Sequence, residues 1–78
     1  MSKSSVEISP GITVNPDVSF GKPVVKGTRI SVDIVLHQLA AGVGYEEMEK
    51  EYGLKRESIL DVLRYAADIV SQEMVSAS

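Results

Sequence analysis

The sequence predicts a small, mostly α fold: a three-helix bundle whose last two helices form a helix-turn-helix, preceded by a short N-terminal β element. Three observations predict it. From Val32 onward, apolar residues recur at helical spacing in three blocks, separated by Gly42-Val43-Gly44 and by Gly53-Leu54-Lys55. Between Tyr45 and Leu63, a glycine followed at once by an apolar residue sits between two such blocks, as a helix-turn-helix requires. Upstream, the stretch Gly21–Val32, GKPVVKGTRISV, alternates β-branched residues with turn formers and cannot be a helix across Pro23.

The chain has 78 residues, which bounds it to one domain with a small core. It has no cysteine, one phenylalanine, three tyrosines and no tryptophan, so the core is expected to be aliphatic and unstapled. Residues 1–10 are polar and serine-rich and are expected to be flexible; residues 11–75 form the expected single domain. Ile12-Thr13-Val14 is a strand candidate, stopped by the turn former Asn15-Pro16-Asp17. Val18-Ser19-Phe20 is expected to lead into a second extended stretch, with Phe20 filling the core. Lys26-Gly27-Thr28 reads as a turn, and Ser31 as the N-cap of helix one, Val32 to about Ala41.

Helix one carries a wide apolar arc (Ile34, Val35, Leu36, Leu39, Ala40, with Val43 beyond it), which points to cover by a second subunit. Helix two, Tyr45 to about Tyr52, sets Tyr45, Met48 and Tyr52 on one face and its glutamates on the other. Helix three begins near Arg56 behind Lys55, a poor cap, and reaches about Met74, longer than the domain needs. In the helix-turn-helix, Gly53 makes the turn, Leu54 plugs the corner, and Met48, Tyr52, Ile59 and Val62 fill the interface; Glu49 must swing outward.

The net charge of −3 argues against a strongly basic nucleic-acid binder. The charge is unevenly spread: residues 1–30 hold four cations and two acids, residues 45–68 seven acids and four cations. Lys22, Lys26 and Arg29 on the β element admit three readings: phosphate contacts, insertion into an acidic pocket of a partner protein, or ordinary solvated charge. Arg29 is the most constrained and the best candidate for a directed contact. Lys55, Arg56 and Arg64 are the candidate DNA-binding residues of helix three, against which stand Glu57 and Asp61 on the same surface; the alternative is a scaffold that reads no DNA. His37 is alone, and no nucleophile–base pair, metal-ligand spacing or phosphate loop is present, so no catalysis, metal or cofactor is expected. There is no apolar run of membrane-spanning length, and MSKSSVEISPG has no apolar leader core; a cytoplasmic protein is the default expectation.

Asn15-Pro16-Asp17, the block Gly21-Lys22-Pro23-Val24-Val25-Lys26-Gly27-Thr28-Arg29-Ile30-Ser31-Val32, the Leu39–Gly44 segment, Tyr45-Glu46-Glu47-Met48 and Glu51-Tyr52-Gly53-Leu54 together resemble domain-of-unknown-function family 433. The resemblance runs from Ile12 to Ile69. Its signature is G-x-P-x-I-x-G-T-R-I-x-V, then a helix ending A-x-G, then E-E-I and Y-P-x-L. Two positions depart: Gly53 replaces the common proline and Lys55 the common Thr or Ser cap. The resemblance implies a homeodomain-like helical fold, often dimeric, and a VapB-type antitoxin that neutralises a PIN-like ribonuclease toxin. Such nucleases hold Mg²⁺ with clustered acids, and an antitoxin can inhibit them by placing a cation in that cleft. A helix-turn-helix regulator, possibly of its own operon and acting on operator DNA, is the alternative.

Overall fold

Backbone pairing of three short extended segments creates the platform on which the helices rest. In the computed structural model these are β1 (Val6–Ser9), β2 (Ile12–Val14) and β3 (Val24–Val25), an antiparallel sheet in the order β1-β2-β3. The structure describes residues 5–77, with side chains through residue 72. Val6 pairs with Val14 and Glu7 with Thr13; after a bulge Ser9 pairs with Ile12, which on its other side pairs with Val25. Three helices follow: α1 (Val32–Ala40), α2 (Tyr45–Tyr52) and α3 (Arg56–Ala77).

The helices begin and end where backbone chemistry directs. α1 ends at Ala41, where Val43 donates its N–H to the Gln38 carbonyl and Gly42 to that of Leu39, closing the last turn. α2 ends on Gly53, whose φ of 71° lies in the left-handed region and whose N–H donates to the Glu49 carbonyl at 2.8 Å. That reversal drops Leu54 into the corner between α2 and α3. The Lys55 carbonyl then accepts the N–H groups of Ser58 and Ile59, and α3 starts at Arg56. Glu49 is exposed, so the crossing of the two helices leaves it in solvent.

Ile12, Val25, Val32, Val35, Met48, Leu54, Ile59 and Val62 are buried together, one or two from each of six segments. The core is aliphatic apart from Met48, as the composition implied. β2 packs on α3, and α1 and α2 pack on α3 as well, so α3 is the axis of the molecule. Among the described residues no helix is long and apolar enough to cross a membrane.

Two expectations are corrected below. Residues 1–4 lie outside the described residues, and residues 6–9 form the edge strand β1. Its pairing is to the β2 backbone rather than through burial, since Val6 and Ile8 stay exposed. Ser31 occupies the N-cap position with extended backbone, yet its hydroxyl donates to the Asp33 carboxylate instead of capping α1. Phe20 does not fill the core: Val18 is extended and the chain does go on to β3, but Ser19–Gly21 makes a tight left-handed turn between them and Phe20 is 99% exposed.

That turn has a physical cause. Asp17 N–H donates to the Asn15 side chain at 2.8 Å and Val18 N–H to the Asn15 carbonyl at 2.9 Å, reversing the chain early. Gly21 and Lys22 then donate back to Val18 and Ser19, and the Ser19 hydroxyl donates to the Arg29 carbonyl at 3.1 Å. Ser19 and Phe20 are left with φ of 51° and 58°, a conformation that costs a residue with a Cβ roughly 1–2 kcal/mol. Asparagine tolerates it better. Phe20→Asn is therefore expected to raise the melting temperature by about 4–8 °C per kcal/mol recovered, since no packing is lost. Thermal denaturation followed by circular dichroism checks this; a lower melting temperature would mean that Phe20 packs in the folded protein.

Candidate partner-binding site on the basic loop

The loop between β3 and α1 is built to hold one side chain outward. Val25-Lys26-Gly27-Thr28 is a tight turn closed by Thr28 N–H on the Val25 carbonyl at 2.9 Å, with Gly27 at φ 79° in the position where a type II turn needs a left-handed residue. The Thr28 hydroxyl donates to the same Val25 carbonyl at 2.8 Å and accepts the Ile30 N–H at 3.0 Å. Val25 N–H donates to the Ile30 carbonyl at 2.9 Å, which closes the loop, and Lys26 N–H ties it to the Gly11 carbonyl. Ile30 then packs on the core and Ser31 bridges to Val24. Arg29 sits between two anchored residues, its carbonyl engaged by Ser19 and its side chain exposed.

The three cations of this element differ in what they face. Lys22 Nζ lies 3.5 Å from Asp33, and Lys26 Nζ lies 3.1 Å from Glu7. Glu7 is held below the usual carboxylate range, first by the Gly11 N–H it accepts at 2.9 Å and then by Lys26. Asp33 is also lowered, chiefly by the Ser31 hydroxyl, with Lys22 adding to it. Both ion pairs are solvent-exposed and contribute little to stability. They do neutralise Lys22 and Lys26. Among the described residues, Arg29 forms no ion pair, so the positive charge of the element is concentrated there.

Arg29 borders a hollow of about 530 Å³ whose wall includes Thr13, Asn15, Val24, Thr28 and Tyr52. A second hollow, about 470 Å³ and apolar, is lined by Val6, Val14, Pro16, Phe20 and Gly21. The segment from Val14 to Phe20 lends Asn15 and Val18 to the first hollow and Val14, Pro16 and Phe20 to the second. The Arg29 guanidinium thus borders the first hollow, with Tyr52 in its wall, and the exposed Phe20 ring borders the second. Neither aromatic role was legible: Phe20 read as core, and Tyr52 only as a helix-packing residue.

The second set of predicted residues is not gathered in the same way. Lys55, Arg56 and Arg64 are all exposed, but Arg56 lies over the Tyr45 ring, 5.1 Å from its centroid, and Arg64 pairs with Asp61 at 3.0 Å. Arg56 and Arg64 are separated by roughly 12 Å along α3, with Glu57 and Asp61 between them in sequence. His37 is exposed on α1, and among the described residues no cluster of three or more His, Cys, Asp or Glu could hold a metal ion.

A family described as "Protein of unknown function (DUF433)" matches residues 12–66, from the first residue of β2 to the last half-buried position of α3. No curated protein and no solved structure matches the chain.

Proposed function

The chain belongs to the DUF433 family, and on that premise we propose that it is a non-enzymatic, VapB-type antitoxin that binds and neutralises a PIN-like ribonuclease toxin in the cytoplasm, working as a homodimer. One observation carries the reading: on an acidic chain, Arg29, which forms no ion pair among the described residues, is held out by a loop hydrogen-bonded on both sides of it. A nuclease that gathers carboxylates for Mg²⁺ presents the complement. Arg29 meets those carboxylates as a planar, bidentate donor.

The test is co-expression with the product of the neighbouring open reading frame, purification through a tag on this chain, and assay of ribonuclease activity. Arg29→Ala is expected to weaken inhibition by about 30-fold or more, the loss typical of a central interface residue. Lys22→Ala and Lys26→Ala, whose charges are already neutralised by Asp33 and Glu7, are expected to change it by less than about 5-fold. Full inhibition by the triple variant would sink the cation-in-cleft mechanism.

A second reading has its own support. The left-handed Gly53, buried Leu54 and the packing of Met48 on Ile59 and Val62 suit a homeodomain-like helix-turn-helix. In that reading Lys55, Arg56 and Arg64 contact operator DNA, and affinity falls steeply with salt. No binding to the DNA upstream of its own gene at about 50 mM salt would exclude it.

A further inference from the structure

α3 outlasts the body it supports. Its buried and half-buried positions end at Ala66, and residues 67–72 are all exposed while the helix runs on to Ala77. A helical extension that only met water would be expected to be polar all round. This one is not. Leu60, Leu63, Ala67 and Val70 follow one another at intervals of three, four and three residues, and Met74 and Ala77 continue the same spacing in the sequence. At 100° per residue, the first four lie within an arc of about 80°, beside the Ile59–Val62 face that is buried in the core. Leu60 is 39% exposed, Leu63 36% and Val70 52%. The charged residues Asp61, Arg64 and Asp68 all fall outside the stripe.

We infer that this stripe is the seam through which two copies of the chain pair, α3 against α3. An alternating three–four spacing has a period of 3.5 residues, which keeps one apolar line facing a second helix wound around the first. An irregular groove on another protein does not ask for that period, whereas a second α3 carries it from Leu60 to Val70. The uncharged seam is self-complementary, as a two-fold interface must be. Ala67 in its middle lets the helix axes approach. From Leu60 to Val70 the described part of the seam is about 16 Å long. Ala67 and Val70 lie beyond residue 66, where the family match ends. The seam supplies the surface for the homodimer of the preceding reading and does not depend on what else the dimer binds.

The experiment is sedimentation equilibrium of the full chain alone, from about 1 to about 200 μM. The unaltered chain is expected to approach the mass of two chains as concentration rises. Leu63→Glu and Val70→Glu, each placing a charge in the seam, are expected to raise the dissociation constant by about 30-fold or more, with helical circular dichroism retained. Gln72→Glu, off the seam, is the control and is expected to leave the mass unchanged. If Leu63→Glu lowers the helical signal, Val70→Glu, beyond the core, decides. A one-chain mass for the unaltered protein throughout the range overturns the inference. So does a dimer that survives both seam variants, or one weakened as much by Gln72→Glu. Because no nuclease is present, a monomer here leaves toxin binding standing as a one-to-one contact, and a failure of toxin binding leaves the seam standing.

Discussion

Ile59→Ala is expected to lower the stability of the fold by about 3–4 kcal/mol, within the range for truncating a fully buried isoleucine. Ile59 has no exposed surface and sits with Met48 and Leu54, so its side chain joins α2, the Gly53 turn and α3. A domain of this size has roughly 4–12 kcal/mol in hand. The variant therefore loses a quarter or more of the total, and its melting temperature falls by some 12 °C or more. Leu60→Ala, one residue on but 39% exposed, should cost under about 1 kcal/mol in the monomer. Urea denaturation of the two variants and the unaltered chain at one low protein concentration makes the comparison, since self-association would otherwise add to apparent stability. A loss below about 1.5 kcal/mol for Ile59→Ala would mean that α2, the Gly53 turn and α3 do not meet at this residue.

Much of this architecture was legible because its causes are local. Tyr45 to about Tyr52 could be read as a helix, since Gly44 and Gly53 bracket it and Met48 marks its buried face. The strand Ile12–Val14 followed from an equally short-range signal, whereas the start of α3 near Arg56 had only the poor cap Lys55 to mark it. What was not legible depends on partners distant in the chain. Nothing near Phe20 announces that Ser19 will hydrogen-bond to the Arg29 carbonyl, and that bond helps hold the turn which exposes the ring. Strand β1 is short and largely exposed, and exists because β2 offers it a free edge. The candidate site divides the same way. Three cations in twelve residues could be read directly, but which of them is unpaired rests on Glu7 and Asp33, lying in β1 and α1.

Thr28→Val is the change in which the fold and the site should fail together. Valine has nearly the shape of threonine, so packing is little altered while the hydroxyl is lost. That hydroxyl donates to Val25 and accepts from Ile30, and the Ile30 N–H is left without its acceptor in a half-buried position. Losing both bonds is expected to cost about 1.5–3 kcal/mol. Thr28→Ser keeps the hydroxyl and should cost less than about 1 kcal/mol. The loop then has only its backbone bonds to hold Arg29 outward, so partner affinity is expected to fall with Thr28→Val and to hold with Thr28→Ser. The two other substitutions separate the effects. Arg29→Ala should abolish tight binding without moving the melting temperature, because the side chain is exposed and forms no ion pair among the described residues. Ile59→Ala should lower the melting temperature and leave binding intact well below it. Stability and affinity measured on all four variants would place Thr28 as the residue that couples the two. If Thr28→Val binds like the unaltered chain despite losing stability, Arg29 is positioned by β3 and α1 alone, and the side-chain bonds of the loop serve only the fold.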